Sequence, residues 1–332
     1  MAVKISDVAT HAGVSVGTVS NVLNGRATVS ESAAARVRAS IDTLGYVRND
    51  AARQLRAGRS RTIALIVLDV GNPFFAAVAR GAEARAAADG FVVLLGSSGA
   101  DVDHERLYLD QFREQRVAGV LLTPAEADSD VAERLVSAGI PLVLVDEQTA
   151  RDEVCTVSVD DVEGGHLAVS HLLDAGHRRI CFVGGPLTTR QVADRLAGAR
   201  RAVAEVADAE LDVIETDAMT VLAGRAAGER LRGGARRPRA VFAANDLLAV
   251  GILQALTMLG DVRVPEDIAL VGYDDIDFAS ATVVPLTSVR QPAEALGSTA
   301  VDLLLSQLAG ELPATERHVR FRPELVVRDS SP

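Results

Sequence analysis

Apolar residues fall at Ile5, Val8, Ala9 and Ala12, three and four apart, which gathers them on one side of a helix. Ser6 stands where an N-cap would, and Gly13 interrupts the pattern as a left-handed C-cap does. Ser15 can cap a second helix over 16–23, with Val19, Val22 and Leu23 on its apolar side, stopping at Asn24-Gly25. A third pattern, 30–44, brings Ala33, Val37, Ile41 and Leu44 together and ends at Gly45. Two short helices across a tight glycine turn, closed by a third, predict a helix-turn-helix. From Thr62 onward the period changes. Apolar runs at 63–68, 91–95, 117–122, 142–145, 180–183, 211–214, 240–243 and 268–271 read as strands. Alanine-rich helical patterns such as 74–88, 107–115, 131–138 and 193–206 lie between them. Such alternation predicts parallel sheets flanked by helices, and about 270 residues is too much for one sheet, so two Rossmann-like subdomains are expected.

Composition changes this picture in one respect. The 332 residues are 48% apolar, enough for large cores. No uninterrupted apolar run reaches the roughly 18 residues of a membrane span, and the N-terminus carries no signal-peptide stretch, so a soluble, cytoplasmic protein is expected. Cys155 and Cys181 sit in β-like runs and read as reduced core residues. The net charge of −11 argues against nucleic acid until it is mapped. Residues 1–61 carry one Lys and eight Arg against four acids, a balance of +5, which leaves −16 for the rest. A basic appendage on an acidic body is the charge pattern of a nucleic-acid-binding segment.

Catalytic signatures are missing. No G-x-G-x-x-G opens a helix after a strand, no phosphate-binding G-x-x-x-x-G-K-[ST] occurs, and no G-x-S-x-G elbow is present. His166, His171 and His177 point apart around a helix and along it, so they cannot share a metal. Asp160-Asp161 and Asp274-Asp275 are sequential, so their side chains diverge. The expectation is a non-enzyme without a cofactor or a metal.

In a helix-turn-helix the first turn of the second helix faces base edges in the major groove. Here those residues are Val16, Gly17, Ser20 and Asn21. Asn21 can pair bidentately with adenine, Val16 can meet a thymine methyl, and Gly17 permits close approach. Ser6, Thr18 and Ser30 are candidates for phosphate contacts, with Ser15 beside them at the turn.

The run Ile5-Ser6-Asp7-Val8-Ala9, then Ala12-Gly13-Val14-Ser15, then Thr18-Val19-Ser20-Asn21-Val22-Leu23-Asn24, resembles the headpiece of the LacI/GalR family of bacterial repressors. So does Leu44-Gly45-Tyr46 followed by Asn49-Asp50-Ala51-Ala52-Arg53-Gln54-Leu55. The chain departs from the family at Arg48, where proline is usual, which loosens the entry to the hinge and adds a charge near the DNA backbone. The resemblance implies that 49–56, too short to be a stable helix alone, folds as a hinge helix when two copies pair on operator DNA. It implies that Asn49, Ala52 and Leu55 join the DNA-facing set, with Leu55 wedging into the minor groove and kinking the duplex.

The body is similar to the family's periplasmic-binding-protein-like fold. The residues that carry the likeness are Asn72-Pro73-Phe74-Phe75, Asp160-Asp161 with Gly164-Gly165, Gly176-His177-Arg178-Arg179-Ile180, Asn245-Asp246, Gly272-Tyr273-Asp274-Asp275 and 285–292. Ligands of open α/β sheets sit at the C-terminal ends of strands. That rule singles out Asn72, Phe74, Phe75, Asp146, Arg195, Asn245, Asp274 and Gln291 as effector-binding candidates, a donor–acceptor set with aromatics that suits a polyhydroxylated ring. By resemblance, Arg195, Asn245, Asp274 and Gln291 match family effector contacts, and Phe74 and Phe75 are similar to the stacking pair of ribose-type binding proteins. Phe75 reads equally as core, and Asp146 equally as a cap.

The implied domains are a helix-turn-helix at 1–47, a hinge helix and linker at 48–60, an N-terminal effector and dimerisation subdomain at 61–160 plus about 291–321, and a C-terminal effector subdomain at 161–290 plus about 322–332. The implied protein is a cytoplasmic, nucleoid-associated, ligand-responsive repressor. It binds a pseudo-palindromic operator as a homodimer and is released by a small sugar, a monosaccharide first and a pentose within that class. A purine or a corepressor mode of the same fold is the alternative; a transport-type binding protein or an enzyme is further off. No leucine heptad follows residue 328, so no tetramerisation helix is expected.

Overall fold

The computed structural model describes residues 3–23, 29–46, 60–126, 131–149, 151–233, 237–258 and 262–332. The chain divides into two compact units, Met1–Ser60 and Arg61–Pro332.

Among the described residues the first unit holds three helices, α1 (Ile5–Ala12), α2 (Val16–Leu23) and α3 (Glu31–Leu44). Val8, Ala9, Ala12, Val19 and Val37 form its core. Gly13, at φ 63°, adopts the left-handed turn that ends α1 and lets α2 start three residues later. The Ser15 hydroxyl accepts from the Thr18 amide at 3.1 Å, and that of Ser30 accepts from the Ala33 amide, so both cap the helices they precede. Ser6 does not cap α1. Lys4 occupies that position, its amide donating to the Asp7 carboxylate at 2.8 Å, because an acid three residues into a helix can reach back where Ser6, already inside the turn, cannot. Arg36 ties α3 to the end of α1 by donating to the Ala12 carbonyl at 3.1 Å.

The second unit alternates strands and helices. In order these are β1 (Thr62–Val67), α4 (Pro73–Ala88), β2 (Val92–Ser97), α5 (Val102–Glu114), β3 (Gly119–Leu122), α6 (Val131–Ser137), β4 (Leu142–Val145), β5 (Cys155–Val159) and α7 (Asp161–Asp174). Then follow β6 (Arg179–Gly184), α8 (Arg190–Ala204), β7 (Glu210–Glu215), α9 (Val221–Gly233), β8 (Ala240–Ala243), α10 (Asp246–Thr257) and β9 (Ala269–Asp274). A 3-10 turn (Asp277–Ala281) leads to β10 (Thr287–Arg290), α11 (Ala293–Ala309), β11 (His318–Phe321) and β12 (Glu324–Val326).

Two six-stranded sheets result, ordered β11-β5-β4-β3-β1-β2 and β12-β10-β9-β8-β6-β7. Every pairing is parallel except β10 with β12. The central strands are buried on both faces, which is why their sequences are continuous apolar runs without alternation. The chain passes between the sheets three times: from β5 into α7, from β10 into α11, and from β11 to β12. A separate apolar core lies under the second sheet, centred on Phe182, Phe242 and Tyr273, while two smaller ones flank the first. Cys155 and Cys181 are buried free thiols, and burial pushes Cys181 up to about 12. No described helix is long and apolar enough to cross a membrane.

Candidate functional site

In the first unit, Ser6, Ser15, Val16, Gly17 and Ser30 are exposed, and Thr18, Ser20 and Asn21 are half-buried. Val19 is the fully buried residue of α2, so the helix turns its first-turn side chains outward while one apolar anchor holds it to the core. Val16, an apolar side chain on that first turn, stands 43% exposed. Asn49, Ala52 and Leu55 lie outside the described residues.

In the second unit, the strand-end residues converge between the two sheets. Asp274 is the hub. It ends β9 at φ 104°, and the next residue, Asp275, is also left-handed at φ 53°. Non-glycine residues rarely adopt this backbone, so the surroundings must hold it. Asp246 does so: its carboxylate accepts from the Ile276 amide at 2.9 Å and from the Ser288 hydroxyl at 2.7 Å. Arg290 and Arg328 grip the Asp275 carboxylate at 2.8 and 2.7 Å. The Asp274 side chain is thereby turned to Gln291, whose Nε2 donates to it at 2.7 Å, and to Asn72, whose Nδ2 donates from the end of β1 at 3.5 Å. Burial pushes its carboxyl up to about 6, and Arg195, Gln291 and Asn72 pull against that.

Arg195 is enclosed. Its Nε donates to Asp161 at 2.7 Å, its Nη1 donates to the Ala244 carbonyl at 2.7 Å and lies 3.8 Å from Asp274, and its guanidinium stacks 3.7 Å from the Tyr273 ring centre. Burial opposes its charge, yet Asp161, Tyr273 and Asp274 hold its pKa above the ordinary value. Glycines make this possible. A Cβ on Gly165 would stand 2.0 Å from the Arg195 carbonyl, and one on Gly198 would stand 1.9 Å from the Val162 carbonyl. The two glycines let α7 and α8 touch backbone to backbone, which seats Arg195 beside Asp161.

Asp146, after β4, is buried with φ 56°; burial and then the charge of Asp161 push its carboxyl well up, and its Oδ1 has no hydrogen-bond partner. Its carbonyl accepts from Gln191 Nε2 at 2.5 Å. Beside it, Arg190 Nη1 meets Glu147 at 3.1 Å and the Gln148 carbonyl at 2.9 Å. Burial pushes Glu147 up to about 7. Arg190 and Gln191 thus bridge from the second sheet to the first.

The remaining candidates divide. Asn72 caps α4 through its Oδ1, accepting from the Phe74 amide at 3.0 Å. Asn245 caps α10 and donates to the Met219 carbonyl at 3.2 Å, so both ends of its amide serve its own lobe. Phe74 and Phe75 meet edge to face, 5.1 Å apart, both within the core of the first sheet. Phe74 with Asp274 and Gln291 also lines a cavity of about 320 Å³; Phe75 does not. Sequence reasoning missed Asp161, Tyr273 and Gln191 as members of this site. The signal for Asp161 was an acid just past a strand end, three residues before Gly164 of the Gly164-Gly165 pair; for Tyr273 and Gln191 there was none. Among the described residues no group of His, Cys, Asp and Glu could hold a metal.

The pattern known as bacterial regulatory proteins of the lacI family matches residues 4–49, and the periplasmic binding protein-like domain matches 169–331. The chain is 33% identical over 330 residues to the transcriptional repressor PurR of Vibrio vulnificus, covering 98% of both. This chain belongs to the lacI family of bacterial regulatory proteins. It is 37% identical over 334 residues to the regulator CelR of Thermobifida fusca, covering 97% of this chain and 96% of that one. To the ribose operon repressor of Escherichia coli K12 it is 33% identical over 331 residues, covering 98% and 99%. The Lac repressor bound to ONPG in its repressed state superposes with a TM-score of 0.86 at 27% identity, covering 99% of this chain and 100% of that one. As a lacI-family regulator, the chain pairs an N-terminal helix-turn-helix with a two-sheet α/β body, and its relatives are repressors rather than enzymes.

Proposed function

We propose that this regulator is a repressor that binds a pseudo-palindromic operator as a homodimer in the cytoplasm and leaves it when a small sugar enters the cleft between its two sheets. The observation that carries the reading is the coexistence, in one chain, of an outward-facing first turn of α2 and a buried polar cleft that both sheets share. Val16, Gly17, Ser20 and Asn21 read base edges, Ser6, Ser15, Thr18 and Ser30 meet phosphates, and Asn49, Ala52 and Leu55 act where the two copies meet the minor groove. Asn72, Phe74, Asp146, Arg195, Asp274 and Gln291 receive the effector; Asn245 and Phe75 support them from behind. The assignment of 61–160 with about 291–321 to one subdomain, and 161–290 with about 322–332 to the other, belongs to the same proposal, as do the headpiece at 1–47 and the linker at 48–60.

Coupling follows from linkage. Effector and operator favour different lobe arrangements, so each weakens the other's binding by the same factor. Relatives include a ribose operon repressor and a CelR solved with cellobiose, which supports a sugar; PurR keeps a purine as the second reading. The test is selection of duplexes from a random pool by the full chain, followed by gel shift of the recovered DNA. A two-fold-symmetric site whose affinity falls steeply with salt is expected, together with release by a pentose or hexose. Recovery of no duplex would overturn the repressor reading; release by hypoxanthine alone would overturn the sugar.

A further inference from the structure

The turn that carries Asp274 is held at two places, and the holders come from different parts of the chain. One is Asp246, fully buried at the start of α10, whose carboxylate takes the Ile276 amide and the Ser288 hydroxyl. Gly272 leaves it room, since a Cβ there would stand 2.1 Å from Asp246 Oδ1. Asp246, Ser288 and Ile276 all belong to the second sheet and its connections, so this hold travels with Asp274 however the lobes are arranged.

The other is the Asp275 carboxylate, whose two oxygens face two different arginines. Arg328 Nη1 lies 2.7 Å from Oδ1 and donates to the Leu286 carbonyl at 2.7 Å. Arg328 is a fixed post. Two residues on, Ser330 has no exposed surface; its hydroxyl donates to the Leu270 carbonyl at 2.6 Å and accepts from the Thr287 amide at 2.8 Å, which ties it to β9 and β10. Arg290 stands differently. It is the last residue of β10, where the chain leaves for α11 on the first sheet, and its Nε donates to Asp275 Oδ2 at 2.8 Å. Its Nη1 lies 3.9 Å from Glu324, which opens β12 where the chain returns from β11. The next residue, Gln291, donates to Asp274. Consecutive residues of one crossover thus hold consecutive residues of the left-handed turn. The Asp275 side chain is only 5% exposed, so solvent screens its pair with Arg290 less than it screens a surface pair.

We propose that Arg290 is a positioning residue for regulation, passing the arrangement of the two lobes through Asp275 to Asp274. Lobes that rotate about their crossovers shift Arg290 against the Arg328 post, and the carboxylate held between them turns the backbone of Asp274. This rests on the proposal that the cleft receives the effector. Asp274 then meets the effector at one angle in the operator-bound arrangement and at another in the released one, which is the differential contact that coupling requires.

The full chain, unaltered and as Arg290→Met and Arg290→Lys, is compared by hydrogen exchange with and without an operator duplex recovered by the selection above. Calorimetry under the same two conditions uses D-ribose, D-glucose, cellobiose and hypoxanthine as probes. In the unaltered chain, operator should change exchange about tenfold at the Asp275 and Ile276 amides, which are bonded to Ser288 and Asp246, and leave β8 alone. Arg290→Met should erase that difference. For a probe that binds, operator should weaken the unaltered chain about fivefold more than it weakens Arg290→Met, with Arg290→Lys in between. Equal exchange with and without operator in the unaltered chain, or an Arg290→Met chain that keeps the full difference, would overturn the inference. So would a joint fall in melting temperature and probe affinity with the operator effect unchanged, the mark of a residue that only supports the fold. Binding of no probe to the unaltered chain would overturn the cleft reading instead, and exchange alone then decides the role of Arg290.

Discussion

The helix-turn-helix unit and the cleft of the body use opposite strategies to present polar groups. In the first, a core of five small apolar residues holds the three described helices, and the residues assigned to DNA are exposed or half-buried on and around α2. In the second, the residues assigned to the effector are nearly all buried and already bonded to one another: Asp274 to Gln291 and Asn72, Arg195 to Asp161. A surface that meets a polyanion needs exposure and positive charge, and it needs little preorganisation because phosphates are everywhere on the duplex. A cleft that takes a small molecule needs desolvated groups at fixed angles, so its strength comes from a network that exists before the ligand arrives. The two regions should therefore respond differently to the same kind of damage.

The largest effect expected is from removing residues 1–60. Operator binding should disappear in a gel shift, while calorimetry on the remaining body gives an unchanged effector affinity; a loss of both would show that the regions are not separable. Next is Arg195→Met. Taking away the buried cation leaves Asp161 and Asp274 facing each other, and breaking such a pair costs about 3–5 kcal/mol. Thermal melting should fall markedly, with the helix-turn-helix unaffected by this change. Asp274→Ala should be milder in folding and severe in binding. Loss of one partner of a buried charge-assisted bond costs about 2–5 kcal/mol, which weakens the effector well over tenfold. Operator binding without ligand should survive, giving a repressor that sugar cannot release.

Protonation offers a finer test. Burial raises Glu147 to about 7 and Asp274 to about 6. A carboxyl raised in the folded state favours folding at low pH, where it is protonated, and withdraws that support as pH rises through the raised value. The body should therefore lose melting temperature between about pH 4 and 7, the range from the ordinary to the raised carboxyl values. Glu147→Gln should flatten that slope by a few degrees, despite the loss of the Arg190 contact. A slope unaffected by the substitution would mean that Arg190 keeps Glu147 ionised throughout. The smallest effect is expected on the exposed side. Asn21→Ala should cost about 1–3 kcal/mol at one base position in each half-site and nothing elsewhere. A uniform loss over all sequences would move Asn21 from base reading to backbone contact.

Much of this was legible in the chain before folding. The glycine turns at Gly13 and Gly45, the apolar period of α1 to α3 and the exposed first turn of α2 are local features, readable because a helix lays residues three and four apart on one side. The strands were visible as apolar runs because parallel sheets are covered on both faces. The short β11 and β12 carry no such mark. Strand ends located Asp274, Gln291 and Asn72, because ligands of open sheets sit there. What strand ends do not say is which groups a side chain will face. Asn245 stood at a strand end like Asp274, yet its amide is consumed within its own lobe, and Phe75, next to Phe74, turns into the core.

Sequence by itself determined the two-part plan of this protein: a basic three-helix unit and an acidic alternating body, with the candidate polar residues at its strand ends. Period, capping and charge act over a few residues, and a linear reading captures them. Only the tertiary structure decided that Arg195 would be spoken for by Asp161, that Gly165 and Gly198 would bring their helices into backbone contact, and that Gln291 and Asp146 would keep one acceptor each without a donor. Those outcomes join residues from 17 to more than 200 positions apart, as in the bonds from Asp274 to Gln291 and to Asn72. No local rule reaches that far. The balance of donors and acceptors in a buried cleft is set by everything that packs around it at once.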